Sequence, residues 1–476
     1  MIGLLLALFI SFSAYCQQKV YDIRHYGAHG DGRSDNTGAI QKAIDEATAG
    51  GGGIVLVPAG QFLTGVLTLK SNVDLHLAAG AVLLGSTNRT DYGPHNALAL
   101  LEARGQSHIA ITGSGTIDGQ GEALLKDIYD RLRAGTLQDA EWQKPNPWHQ
   151  VRPSEENRPK IIGFTRCDGV TVKGITLKHS LDWVEDYKSC TNLMIDSIRV
   201  ESNTFWNNDG IDLVDCKNVR LTNSFFDADD DGICLKSEDR NDSCENIYVA
   251  HCTVRSSASA IKLGTAGRGG FHHITMRDIT VYDTYRSAIA LECVDGGRME
   301  DIDIRDVRAT NTGNAIFIRL GHRNKDSVVS SIRHIYIGNV TVEVPAVKPD
   351  KGYPMEGPPL DFPHNIFPSS IVGLPGHPVE DVVLENIKVT CPGGGLKETA
   401  WPDSLHQAPG NAIPENPSDY PEFSMFGELP AWGLYARHAN GLTLKNVQFI
   451  ARETDYRPAT ILDDVSPIVL SGVRMN

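Results

Sequence analysis

The chain has 476 residues, 41% apolar and 22% charged, which excludes disorder as its main state. That length suits two or three domains, or one elongated repeat solenoid. With 44 Lys plus Arg against 59 Asp plus Glu, the formal charge is −15. So acidic a chain argues against nucleic acid or anionic membrane as partner, and any polyanionic substrate would need a local basic pocket.

The first feature in chain order is the apolar run from Ile2 to Ala14, too short to span a bilayer. Small residues at Ala14 and Cys16 precede Gln17-Gln18, as at a signal-peptide cleavage site. Residues 1–16 are therefore expected to be a signal peptide, removed on export to the periplasm or beyond. Acylation of Cys16 as a lipoprotein is the alternative. Ile40, Ala43, Ile44 and Ala47 then recur at helical spacing, with Asp35 or Asn36 as N-cap and Gly50–Gly53 as the stop. Short alternating strands follow at Ile54–Val57, Val73–Leu77, Ile109–Ile111, Ile161–Gly163 and Val170–Ile175.

Between residues 190 and 318 the chain repeats itself. Five segments share the pattern small residue, Ile, any residue, aliphatic: Gly210–Leu213, Gly232–Leu235, Ala260–Leu263, Ala288–Leu291 and Ala315–Ile318. Their isoleucines are 22, 28, 28 and 27 residues apart. In a second register, Cys190, Cys216 and Cys244 each stand two residues before an Asn, and Cys167 precedes Cys190 by 23. Short strands at this period, with no helices between them, describe an all-β parallel β-helix. Each coil buries its apolar face only against its neighbours, about 4.8 Å away. The repeated cysteines are then expected as stacked inward thiols, not disulfides. The early helix would cap the open end of the solenoid. Further strands lie at Val382–Val389 and Leu442–Phe449. Two Pro-rich stretches, 347–378 and 392–430, read as long loops. Residues 17–476 are thus expected to form a single domain.

Aligning the five repeats puts Asp209 and Asp231 in one column on adjacent coils, with Asp230 alongside and Asp212 and Asp229 nearby. Carboxylates so crowded repel one another, and stability alone does not place them together. Paired carboxylates whose environments differ can divide acid and base work. A solvated acidic turn or a Ca²⁺ site is the plainer reading.

Asn207-Asn208-Asp209-Gly210-Ile211-Asp212 followed by Asp230-Asp231-Gly232-Ile233-Cys234-Leu235-Lys236-Ser237 resembles the signature of glycoside hydrolase family 28, the polygalacturonases and rhamnogalacturonan hydrolases. Tyr26–Gly32, Val57–Gly60, Gly115–Gly121 and Arg158-Pro159 add to the likeness. The resemblance implies a right-handed parallel β-helix and an inverting, monomeric hydrolase of pectic chains that needs no metal or other cofactor. It makes Asp230 the acid and Asp209 and Asp231 the water-activating carboxylates. Lys236 follows the pair as in the family.

The chain also departs from the family pattern. Ala258-Ser259-Ala260 stands where polygalacturonases carry Gly-His-Gly, and Ala290 and Glu292 stand in place of Arg and Lys that grip galacturonate. Glu292 would repel a sugar carboxylate, unless it pairs with Lys262. Lys262 itself, with Arg319, His322 and Arg323 one coil beyond Glu292, supplies candidate cations for an anionic sugar. Asn208 flanks the site, and Trp206, Trp183 and Tyr285 are candidates for stacking on sugar rings. Trp142, Trp148, Trp401 and Trp432 are expected to pin loops. The substitutions favour a rhamnogalacturonan-type substrate. A Ca²⁺-dependent pectate lyase, with Lys236 or Lys262 as base, and a non-catalytic carbohydrate-binding β-helix are the readings from other classes.

Overall fold

The computed structural model describes residues 19–145, 151–353, 366–395 and 413–476. The segment 1–18, with Cys16, lies outside them, as do Trp148, Trp401 and parts of both Pro-rich stretches.

The chain is all-β, and its strands pair in parallel with the strand one coil away. One column runs Val170, Leu193, Val219, Ile247, Ile274, Ile302, Ile335, Val382, Leu442 and Ile468, each paired with the next. The repeat isoleucines 211, 233, 261, 289 and 316 form another, as their spacing predicts. Alternate residues face inward, so equivalent positions stack into a continuous apolar core. Cys167, Cys190, Cys216, Cys234, Cys244, Cys252, Cys293 and Cys391 are buried free thiols.

The coils turn at residues held in the left-handed region, which Asn, Asp and His tolerate better than other non-glycine residues. Asn192, Asn218 and Asn246 sit there with φ of 57°, 57° and 55°. Their side chains bond to one another: Asn218 donates to Asn192 at 3.2 Å, and Asn246 to Asn218 at 2.7 Å.

Helix α1 (Thr37–Ala49) buries Ile40, Ala43, Ile44 and Ala47 against the first coils. Asn36 stands at its N-cap position but makes no capping bond. Its side chain turns away to accept the His29 N–H. Asp35 instead accepts the Thr37 N–H at 2.9 Å. A second helix, α2 (Gly121–Ala134), is not in the sequence expectation although Leu124, Ile128 and Leu132 recur at helical spacing. Its Asp127 accepts the Arg89 N–H and pairs with Arg131 of the same helix, tying the segment around Arg89 to α2.

The described parts of the two long loops build a second apolar cluster. Phe367, Phe423, Phe426 and Leu429 pack on Tyr285, Phe317 and Tyr435. Phe317 and Tyr435 share one column of the sheet that also carries Asp212 and Lys262. Trp432 is buried in the main core and Trp142 packs against it, in keeping with a pinning role.

The asparagine ladder gives a direct test. Asn218→Ala removes two side-chain bonds and puts Ala in the left-handed region, so it should cost about 1–3 kcal/mol in urea unfolding. Asn218→Gly, which removes only the bonds, should cost less. Equal losses would show that the backbone conformation is not what Asn218 supplies.

Candidate active site

Asp209 and Asp231 end the turns before the strands Ile211–Val214 and Ile233–Ser237. The register Ile211↔Ile233 stacks those turns, and the Gly210 N–H donates to the Asp231 carbonyl at 2.8 Å. The small residue of the repeat is a steric requirement. A Cβ on Gly232 would lie 2.2 Å from Val254 Cγ1, far inside contact distance. Three carboxylates are brought together: one oxygen each of Asp209, Asp230 and Asp231 lie within 4.8 Å of one another. Asp209 and Asp231 are buried, while Asp230 is half-buried and so the most open of the three.

Two lysines on the outer face answer this charge. Lys236 Nζ lies 2.8 Å from Asp209 Oδ2, bonds Asp212, and sits 4.1 Å from the Trp183 ring centroid. Lys262 Nζ lies 3.1 Å from Asp231, 3.5 Å from Glu292 and 3.2 Å from the Tyr420 hydroxyl. Arg286 is the third cation, acting on Asp230 and Asp231 from two coils further on.

Five carboxyls (Asp209, Asp212, Asp230, Asp231 and Glu292) thus face three cations, and they cannot all ionise in a buried setting. Burial, and then the charges of Asp209 and Asp231, push Asp230 up to about 7. Asp212 and Glu292 are also raised to about 7, by burial first. Asp209 is raised by burial and by Asp212, against the pull of Lys236. Asp231 goes the other way. Burial works against its charge, but Lys262, Lys236, Arg286 and the Ser259 N–H together hold its carboxyl below the usual range. The Ser259 N–H donates to Asp231 Oδ1 at 3.0 Å, so the next coil supplies this carboxylate with a backbone donor. The geometry therefore presents a carboxylic acid beside a carboxylate.

Several expected substrate contacts are committed elsewhere. Asn208 is fully buried and organises the turn: its Oδ1 accepts from Ser202, Thr204 and Phe205, and its Nδ2 donates to the Asp182 carbonyl. Arg319 is buried and donates to the carbonyls of Gly373, Glu415 and Asn416. Arg323 pairs with Asp295 at 2.7 Å. His322 donates its N–H to the Pro417 carbonyl, with its ring on the Asp326 carbonyl. Arg319 and His322 hold the segment around 415–417, and Arg323 is committed to Asp295, so none of the three is a spare cation. Glu292, expected to repel a sugar carboxylate, is buried against Lys262. Tyr285 is buried in the second apolar cluster, and Trp206 packs against the core, edge-on to Phe205. Trp183 is half-buried, with Lys160 and Lys236 Nζ at 4.0 and 4.1 Å from its centroid. Asp229 is not one of the trio; it is buried, and the charges of Asp230, Asp350 and Asp227 act on it in that order.

The sequence reading gave no role to Arg286, Asn207 or Tyr420. Asn207 Nδ2 lies 3.5 Å from Asp230 and is itself held by Arg158. Arg286 was findable, since it shares Asp230's column. Tyr420 was not, since it reaches Lys262 from 158 positions away, outside any repeat.

A family model described as "Glycosyl hydrolases family 28" matches residues 51–346. The chain belongs to this family. An exo-poly-alpha-D-galacturonosidase of Dickeya chrysanthemi is 24% identical over 354 residues, 65% of this chain and 58% of that protein. The chain thus spans under two thirds of that relative's length. An exopolygalacturonase of Zea mays is 25% identical, covering 78% of this family 28 chain and 76% of its own. The solved hyperthermoactive exopolygalacturonase of Thermotoga maritima superposes with a TM-score of 0.60 at 24% identity, over 78% of this chain and 87% of that one. That likeness carries the fold.

The charge balance predicts a pH-dependent defect. Lys236→Met leaves Asp209 and Asp212 buried without their cation, a loss of about 3–5 kcal/mol. Both carboxyls are raised above their unfolded values. Protonation relieves them, so the loss should be large at pH 8 and shrink by pH 5. Urea unfolding at the two pH values measures it, and a pH-independent loss would show that the ion pairs are not its cause.

Proposed function

We propose that this chain is a glycoside hydrolase that cleaves O-glycosidic bonds in pectic chains. The observation that carries the reading is the split within one trio: Asp230 raised to about 7 while neighbouring Asp231 is held ionised. Opposed shifts in adjacent carboxyls mark an acid and a base. Asp230 gives its proton to the glycosidic oxygen, and Asp231, the carboxylate held ionised, draws a proton from the attacking water, which Asp209 beside it helps to hold. Oxygens within 4.8 Å can both accept from a single water. Family membership supports the pectic substrate, the right-handed coil and α1 as its cap. Export, a monomeric state and a single domain are part of the same proposal.

Inversion is the stereochemistry that the family resemblance implies, but inverting carboxyls usually stand about 6.5–9.5 Å apart. A second reading, in which Asp231 or Asp209 attacks the sugar and the anomeric configuration is retained, needs carboxyl groups about 5–5.5 Å apart. Proton NMR of the first product anomer decides between them.

The lyase reading fares worse. Lys236 and Lys262 are held protonated by the carboxylates around them, although burial opposes their charge. Neither is poised to take a proton. Lys236 also occupies the group of Asp209, Asp212 and Cys234, one of the two places among these carboxyls where a cation could bind. Product absorbing in the ultraviolet, or loss of activity to a chelator, would favour the lyase.

Asp230→Asn should lower kcat by about 10²–10⁴ on any pectic substrate the wild type cleaves, with the melting temperature unchanged or raised. Near-wild-type turnover would remove Asp230 as the acid. In the wild type, activity should fall as pH rises through about 7, where Asp230 loses its proton. A flat rate to pH 9 would contradict the same assignment.

A further inference from the structure

The three cations of the site differ in what they can still offer. An ammonium has three protons. Lys236 Nζ faces three acceptors, Asp209 Oδ2, Asp212 Oδ1 and Cys234 Sγ. Lys262 Nζ also faces three, Asp231 Oδ2, Glu292 Oε2 and Tyr420 Oη. Lys236 thus has no proton left for an incoming group, and the charge of Lys262 is already met by two carboxylates. Glu292 fills, from within the protein, the place that a ligand carboxylate would take on Lys262.

Arg286 is in the opposite condition. Its backbone is fixed, with its N–H donating to the Ala258 carbonyl at 2.8 Å. The register of Ile233, Ile261 and Ile289 puts it in Asp230's column, two coils along. Among the described residues its guanidinium makes no ion pair within 4.0 Å, although the Glu422 carboxylate acts on it from nearby as Asp230 and Asp231 do, and its Nε is buried without a hydrogen-bond partner. The guanidinium lies 5.9 Å from the centroid of Tyr420, and that tyrosine is 51% exposed. The Arg286 side chain is only half-buried, so a ligand can reach it.

We propose that Arg286 binds the carboxylate of an acidic sugar beside Asp230. A guanidinium fork matches a carboxylate with two parallel N–H bonds, and a buried unpartnered N–H gains most from such a ligand. The assignment rests on reading the trio as the centre of a pectic hydrolase, and it names which feature of the chain is recognised. Acid recognition moves from the outer strand face, where Lys262 is already neutralised, to the turn column that carries Asp230. A carboxylate on Arg286 also weakens that arginine's pull on Asp230 and so favours the protonated acid.

The test is binding without turnover. Trigalacturonate and its fully methyl-esterified form are titrated by calorimetry into D230N and into D230N/R286Q, with thermal melts confirming both folds. D230N is expected to bind the free acid about tenfold or more tighter than the ester, one strong charge-assisted contact being worth that much. D230N/R286Q should bind both forms alike. A third protein, D230N/R286K, keeps the charge but not the fork and should retain only part of the preference; it stands in if the glutamine variant does not fold. An acid preference that survives undiminished in R286Q or R286K overturns the proposal. So does a D230N protein that binds both forms equally or neither. Reducing-end release by the wild type is measured alongside. No release, together with Arg286-dependent binding, would sink the hydrolase reading and leave this assignment standing.

Discussion

Parallel in-register pairing of coil on coil governs everything in this molecule. Each strand finds its hydrogen-bond partners only in the coils above and below, so equivalent positions are forced into vertical columns. In the interior this is favourable: isoleucine stacks on isoleucine, and the core runs without a break through successive coils. At polar turns it is favourable only where the side chain both donates and accepts. That is why asparagine can ladder through residues 192, 218 and 246. At charged turns the same geometry is unfavourable, because it holds like charges about one coil spacing apart.

The site is built on that cost. Asp209 and Asp231 stack because Ile211 pairs with Ile233, and Asp230 joins them because it precedes Asp231 in the chain. An alternating sheet could relieve the repulsion by pointing the groups away, but here Gly210 and Gly232 pack too tightly for the turns to shift. The relief comes from lysines projecting off the strands themselves. Lys236 and Lys262 sit three residues after Ile233 and one after Ile261, so each reaches back over its own coil or the preceding one. Two ammonium groups and one guanidinium do not neutralise five carboxyls, and the residue of that imbalance is protonation. A proton held near neutral pH on Asp230 is thus a consequence of packing before it is a device for chemistry.

Legibility followed the columns. The period, the inward thiols, the stacking of Asp209 over Asp231 and the pairing of Lys262 with Glu292 all follow from register, and register is written in the spacing of the repeat isoleucines. What the period does not carry was missed or misjudged. Arg319 reads as a spare cation beside the site, yet its partners are the carbonyls of Gly373, Glu415 and Asn416, which only a folded loop brings to it. Asn208 reads as a ligand, yet every polar atom of its side chain closes a turn. Helix α2 is legible in the helical spacing of Leu124, Ile128 and Leu132, but it lies outside the strand period that sets the columns.

The loop cluster shows what an outward position on this solenoid can carry without disturbing the core. An outward position on a β-helix sheet normally meets solvent, so it can change with little effect on the core. Once Phe317 and Tyr435 occupied such positions, Phe367 and Phe423 had an apolar surface to pack on, and the segment carrying Tyr420 was fixed across Lys262. Burying that lysine beneath a loop demands acceptors for all its protons. Tyr420 accepts from it, and Asp231 and Glu292 answer its charge. Loop, glutamate and lysine therefore form one unit: an isolated Glu292→Lys change would place two ammonium groups together under the loop, with Asp231 as their shared carboxylate. It should disturb Asp231 and the loop before it could create a grip on galacturonate.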